Sequence, residues 1–353
     1  MEFNRRTHIQ SLIARAPGNA AVMFRIAELY RHEGDELQAV DWCGRALALA
    51  SDDLPMTSRC RAFLSKPVPG WHFQMLSDQH RNQVYDAAIR RAVWPGARVL
   101  DIGTGSGLLA MMAARAGASM VFACEAEPAI ARAAAEIVAA NGYSDRVRVI
   151  ARHSTTLRAN VDLGGRVDVL LSEIIAGNLI GEGVLPSHEH AVRELLIPGG
   201  QVVPARGTIH AALAAFDGFN PSPLAMVEGF DLSIFNRLRR REGSVPGDSR
   251  RLQLRGASAD LFAFDFASTQ FCRSERTKVE LTSDGGMVHG VIQWFTLELD
   301  DEIRYDTLPG RGVPRSWMLD YFPLEVPRNT RPGETMVFHA AHDRSELLIW
   351  PAE

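Results

Sequence analysis

The chain has almost no lysine: of its 38 basic residues, all but Lys66 and Lys278 are arginine. Together with abundant alanine, this bias reads as the codon usage of a GC-rich, bacterial genome and says nothing by itself about function. An excess of positive charge is missing too. The net charge of −4 argues against a general nucleic-acid binder, which needs a basic footprint, and suits a cationic partner only weakly. Cysteine is scarce. Cys43, Cys60, Cys124 and Cys272 are scattered without metal-ligand spacing, so no metal site is expected and the thiols read as those of a reduced, cytoplasmic protein. No apolar run is long enough for a membrane span, and residues 1–16 are polar and mixed in charge, unlike a secretory leader. What remains is an ordinary balance, 46% hydrophobic and 23% charged over 353 residues, enough for two or three domains with full cores.

Three blocks follow one another. In residues 1–65, segments 20–31 and 37–49 carry apolar residues at helical spacing, broken at Gly34-Asp35. Ile26, Leu29, Tyr30, Ala39, Trp42, Ala46 and Leu49 then read as a helix–turn–helix of tetratricopeptide (TPR) type. So few repeats rarely stand alone, so the block is expected to pack on its neighbour, as a helical cap more than as a docking surface. In residues 66–205, short apolar strands (99–102, 121–124, 147–150, 167–171, 201–203) alternate with helices (108–116, 128–141, 189–196). That alternation predicts an α/β domain, a parallel sheet with helices on both faces. Residues 206–353 lose the helical pattern and show short runs at 208–213, 261–266, 288–299 and 334–341, predicting a β-barrel or sandwich. Within them 230–241 reads as helical and 243–251 as a polar loop, an insertion at about 228–255 that could form an arm.

One turn points to a nucleotide-like ligand. In Val99-Leu-Asp-Ile-Gly-Thr-Gly-Ser-Gly107 the chain arrives at the carboxyl end of a parallel strand, where such sheets bind ligands. Asp101 closes the strand, and Gly103, Thr104, Gly105 and Gly107 make a turn whose glycines let backbone approach the ligand. The spacing is G-x-G-x-G, with Leu108 where dinucleotide enzymes carry the last glycine. Glu125, at the end of the next strand, can accept both hydroxyls of a ribose. Strand before, helix after and acid beyond weigh against a mere tight turn with a solvated carboxylate.

A second segment, Leu171-Ser-Glu-Ile-Ile-Ala-Gly-Asn-Leu-Ile-Gly-Glu-Gly183, carries Glu173 and Glu182. Loop glutamates are ordinarily solvated charge. Here Glu173 follows an apolar strand and Glu182 stands between glycines, odd places for decoration. Two carboxylates can grip a planar fork of N–H donors, and a guanidinium offers five.

The glycine turn resembles that of class I methyltransferases that use S-adenosylmethionine. The glutamate loop, together with Trp71-His-Phe-Gln-Met-Leu-Ser-Asp-Gln-His-Arg-Asn-Gln-Val-Tyr85, resembles the protein arginine methyltransferase family. His72, Met75, Leu76, Asp78 and Arg81 fit its H-x-x-M-L-x-D-x-x-R pattern, and the glutamates fit its "double-E" loop. Leu179-Ile-Gly-Glu-Gly-Val-Leu-Pro-Ser187 is most similar to the monomethylating (type III) branch, and Trp71-His-Phe with the helical start is similar to the TPR-bearing branch. The resemblance, covering residues 66–353, implies a Rossmann-like methyltransferase domain followed by a β-barrel domain with a dimerisation arm near Gly229, and hence a homodimer. It implies S-adenosylmethionine held by Arg81, Asp101, Gly103, Thr104, Gly105, Gly107, Glu125, Ser154 and Thr155, with Ser154 and Thr155 beside adenine and Arg81 on the methionine carboxylate. It places Met75 near the sulfonium and the acceptor, Trp317 on the substrate side, and Glu173 and Glu182 on the guanidinium. Three departures stand out: Arg61 to Gly70 lacks the family's tyrosine-rich helix, its Thr-His-Trp loop reads Arg315-Ser316-Trp317, and Ala176 stands where close relatives carry aspartate.

The expected activity is N-methylation of arginine to ω-N-monomethylarginine, on the free amino acid in preference to a protein, in natural-product biosynthesis. Alternatives are a methyltransferase for another small amine or guanidine, and a non-catalytic TPR scaffold. His188-Glu-His190 and the arginines of 237–241 read as surface.

Overall fold

A computed structural model describes residues 9–216, 218, 224–238, 242–270, 272–310 and 317–352. The chain divides into two compact units. The first comprises Met1–Gln74, Ile89–Ser172 and Glu194–Gly200; the second comprises Met75–Ala88, Glu173–Arg193 and Gln201–Glu353.

In the first unit the N-terminal segment forms α1 (Ala20–His32), α2 (Glu36–Leu49) and α3 (Leu54–Ser65). Asn19, Asp35 and Asp53 start them, each accepting a backbone N–H of the first turn. Ile26, Trp42, Ala46 and Cys60 meet in a shared core. The block also packs on its neighbour, as so short a helical array must: Arg132 in α7 (Pro128–Ala140) pairs with Asp41 at 3.0 Å, and its guanidinium occupies the space a side chain at Gly44 would need. The first two helices lie where the periodicity put them. The third, at Leu54–Ser65, was not anticipated.

The remainder of this unit is the parallel sheet. Its strands β1 (Arg98–Ile102), β2 (Met120–Cys124), β3 (Val147–Ile150), β4 (Val167–Ser172) and β5 (Leu196–Val203) run in the order β3-β2-β1-β4-β5. β1 pairs in parallel with both β2 and β4, so the order reverses beside β1, the switch point at which such sheets bind ligands. Val99, Leu100 and Ile102 are buried, as strands covered on both faces require. α6 (Leu108–Ala116) leaves the glycine turn.

In the second unit, α5 (Gln79–Ala92) begins just after the short α4 (Trp71–Ser77). The β portion is an antiparallel sheet of seven strands, with β6 (Arg206–Ala215), β13 (Gly286–Glu298) and β15 (Met318–Thr330) at its centre, and a separate sheet of three. Several expectations need correcting. Residues 243–251, read as a loop, include β9 (Gly243–Pro246), which pairs with β15; a short polar edge strand carries too little alternation to be seen. The helix expected over 230–241 is a two-residue strand, Phe230–Asp231, followed by a 3₁₀ turn at Ser233–Leu238; residues 239–241 lie outside the described ones. The helix placed at 189–196 starts earlier, as α8 (Val184–His190), because Gly183 turns the chain with φ +76° and Val184 and Leu185 are buried. His188 is therefore not surface: it is buried, its ring bonds the Phe266 carbonyl at 3.3 Å, and burial lowers its pKa to about 4.

Candidate active site

The glycine turn belongs to the first unit. The Gly103 and Thr104 amides both donate to the Cys124 carbonyl at 2.9 and 3.0 Å, which ties the turn to the end of β2. Gly103, Gly105 and Gly107 all have positive φ (67°, 55° and 82°), a region that penalises any side chain. A Cβ at Gly105 would meet nothing closer than 4.0 Å, so the backbone there is open on one side. At Gly107 it would press on Val138 at 3.2 Å, so that glycine serves helix packing. Thr104 Oγ1 donates to buried Asp101 at 2.5 Å. Glu125 accepts the Gly105 and Glu127 amides, each at 3.0 Å. A carboxylate offers about four acceptor sites, so those two bonds fix Glu125 and still leave it able to accept a diol.

Ser154 and Thr155 open a 3₁₀ turn just beyond β3. Ser154 is buried and its hydroxyl has no partner among the described residues, whereas Thr155 is exposed beside His153 at 2.8 Å. A glycine backbone open on one side, a spare carboxylate acceptor and an orphaned hydroxyl, all beyond the ends of β1 to β3, fit a ribonucleoside group.

The acceptor residues belong to the second unit. Glu173 follows β4 directly. It is buried and paired with Arg81 of α5, both side chains being under 5% exposed (3% and 4%). Arg81 Nη1 also donates to Asn82 Oδ1 at 2.7 Å, while its buried Nε lacks a partner among the described residues. Burial pushes the Glu173 carboxyl up to about 7; Arg81 pulls it back, and the charges of Glu182 and Asp78 push it further up. Glu182 is exposed at its surface, yet loss of hydration still raises its pKa. The resemblance implies a place for Arg81 on the donor's carboxylate; in the structure its guanidinium pairs with Glu173. Met75 is half-buried in α4.

The loop between the glutamates is held from several sides. Asn178 Oδ1 accepts the Ile180 and Gly181 amides at 3.1 and 2.7 Å, an Asx-type turn. Leu179, fully buried, adopts φ +72°, a strained state for leucine that surrounding structure must enforce. Buried Trp317 donates its indole N–H to the Ile175 carbonyl at 2.7 Å. It thus clamps the loop's backbone. Arg315 and Ser316 lie outside the described residues.

Tyr305 escaped the sequence reading. It is fully buried and donates to Asp78 Oδ2 at 3.2 Å, while Asp78 Oδ1 accepts the Arg81 amide at 2.9 Å. The tyrosine therefore steadies the aspartate that starts the helix bearing Arg81. No local motif marks it, since the contact spans two distant segments.

The chain is similar to known proteins in sequence and in fold. The family model for ribosomal protein L11 methyltransferase (PrmA) matches residues 84–203. Arginine N(omega)-methyltransferase of Streptomyces achromogenes subsp. streptozoticus is 37% identical over 326 residues, covering 91% of this chain and 90% of that protein. Protein arginine N-methyltransferase 7 of Drosophila grimshawi is 35% identical over 253 residues, 64% of this chain, which spans only 35% of that longer protein. Among solved structures, the Trypanosoma brucei PRMT1 enzyme-prozyme heterotetrameric complex with AdoHcy superposes with TM-score 0.68 at 26% identity, over 78% of this chain and 88% of that one. Arabidopsis thaliana protein arginine methyltransferase 10, at TM-score 0.62 and 20% identity over 78% of this chain and 94% of its own, shares the fold.

Proposed function

The chain belongs to the arginine N-methyltransferase family, and from that premise we propose that it transfers a single methyl group from S-adenosylmethionine to a guanidino nitrogen of free L-arginine. The observation that carries the site assignment is the buried pairing of Arg81, on α5, with Glu173 at the start of a loop clamped by Trp317 and Asn178. In this reading Asp101, Gly103, Thr104, Gly105, Gly107, Glu125, Ser154 and Thr155 hold the donor. Met75, Glu173 and Glu182 serve the acceptor, with Arg81 and Trp317 fixing them. Arg81 Nε, without a partner among the described residues, supports a second bond to a donor carboxylate.

Bound S-adenosylmethionine supplies a methyl group activated by its sulfonium. Everything else falls to the chain. A guanidinium is a poor nucleophile because its lone pairs are delocalised and its pKa exceeds about 12. Glu173 and Glu182 orient it and draw positive charge toward the nitrogens they hold, leaving electron density on the third. With the donor bound, that nitrogen would take the methyl group from the sulfonium, whose sulfur would leave as a neutral thioether, and would give up one proton. In this reading Glu182, whose pKa burial raises, accepts it. Positioning of this kind supplies much of such an acceleration.

Monomethylation and the free acceptor are supported by the likeness to the Streptomyces enzyme and by Ala176 at the aspartate position of peptide-modifying relatives. A homodimer is supported by the apolar surface of the 224–238 segment, where Phe230 and Leu238 are 72% and 75% exposed. In this reading the N-terminal helices are a TPR-like cap and the antiparallel sheet is the family's barrel. Four free cysteines suit a cytoplasmic site of action. Among the described residues no helix is long and apolar enough to cross a membrane. Incubation with labelled donor and either free arginine or an arginine-rich peptide tests the acceptor: label should enter the amino acid, and label in the peptide alone would reverse the assignment.

A further inference from the structure

Asp320 lies in β15, three residues after Trp317, half-buried, and no hydrogen bond or ion pair reaches its carboxylate among the described residues. The charged group acting on it is another anion. Burial first, and then Glu242, raise its pKa to about 6. A carboxylate withdrawn from water without a cation is unfavourable, so its persistence calls for a partner. Directly opposite, on β13, stands Gln293. It is completely buried, and among the described residues neither its amide nitrogen nor its oxygen has a partner. Facing positions on adjacent strands put both side chains on one side of the sheet, their Cβ atoms about 5 Å apart.

That side is the one against which the glutamate loop lies. A Cβ at Gly177 would stand 3.7 Å from Asp320 Oδ1 and 2.6 Å from the Met318 carbonyl. Only glycine permits so close an approach, and Gly177 lies between the two glutamates in the chain. An unpaired anion and an unsatisfied amide thus share the sheet face beneath the loop assigned to the guanidinium. Their complements are an ammonium, which only donates, and a group that can exchange hydrogen bonds with an amide. A free α-amino acid carries both on one carbon; an arginine within a peptide has no ammonium there.

We infer that Asp320 and Gln293 form the subsite for the α-ammonium and α-carboxylate of the acceptor, Asp320 taking the ammonium and Gln293 the carboxylate. The inference rests on the free-arginine reading and names the residues that would enforce it. It makes acceptance of a free amino acid a property of the sheet, outside the glutamate pair common to the family.

The test compares L-arginine with agmatine, which lacks the carboxylate, and 5-guanidinopentanoate, which lacks the ammonium. Asp320→Asn should raise KM for arginine and agmatine roughly tenfold, as expected for loss of a charge-assisted bond, and leave 5-guanidinopentanoate unchanged. Gln293→Leu should weaken arginine and 5-guanidinopentanoate and spare agmatine. Calorimetric titration of arginine should show the same losses of affinity without turnover. If wild-type protein methylates arginine but both variants bind and turn it over like wild type, the subsite is wrong and the function stands. If wild type methylates only peptides, the free-acceptor reading fails and the subsite with it.

Discussion

Asp320→Asn makes a stability prediction whose sign is opposite to that of most polar substitutions in a folded protein. The side chain keeps its shape and loses a charge that nothing balances. Its folded pKa is about 6 against an ordinary 3.8, so folding favours the protonated acid. Its contribution to stability is complete below pH 3.8 and is lost as pH rises through about 6. A shift of that size corresponds to a ceiling of about 3 kcal/mol at 1.36 kcal/mol per unit. Because Asp320 is half-buried, solvent screening reduces the expected penalty to about 1–2 kcal/mol. The asparagine variant should therefore match wild type in Tm near pH 4 and exceed it by a few degrees near pH 8, since each kcal/mol shifts Tm by about 2–4 °C in units of this size. Thermal melts by circular dichroism at the two pH values suffice. A variant less stable than wild type at the higher pH, or a difference indifferent to pH, would mean that Asp320 has a favourable partner and that the reasoning is wrong.

Further expectations concern the site itself. Glu182→Gln should lower kcat/KM by about 10²-fold or more while leaving Tm unchanged, because Glu182 is exposed and the loss falls on charge placed for the reaction; near-normal turnover would point instead to another amine acceptor. Rate should rise with pH and reach half its plateau near 7, since burial holds Glu173 protonated below that value and only its carboxylate grips a cation; a flat profile between about pH 5.5 and 8.5 would contradict the assignment. Tyr305→Phe removes a hydroxyl from buried Asp78. It should lower stability by about 1.5–3 kcal/mol, the range for a hydrogen bond to a charged group, and reduce kcat by loosening Arg81, which unchanged melting and kinetics together would refute.

What could be read from the sequence was what rests on local pattern. Val99-Leu-Asp-Ile with its glycines announced β1 and the switch point, because a buried parallel strand and positive-φ glycines leave marks within nine residues. Glu173 and Glu182 were legible because a carboxylate after an apolar strand, or between glycines, contradicts its setting. The pairing of Arg81 with Glu173 was not, since it joins a helix to a loop 92 residues away. Tyr305, Gln293 and Asp320 were invisible for the same reason. In strands that alternate face to face they look like ordinary members, and only the register Gln293↔Asp320 and the approach of Gly177 reveal them. β9 and the start of α8 were misread where weak alternation and a helix begun by Gly183 left little periodic signal.

The decisive measurement is fragmentation mass spectrometry of the product made from L-arginine and isotopically labelled S-adenosylmethionine. The geometry of Glu173 and Glu182 predicts one labelled methyl group, on a terminal guanidino nitrogen. Label on the α-amine or the carboxylate, or no labelled arginine from a folded protein that binds the donor, would contradict it.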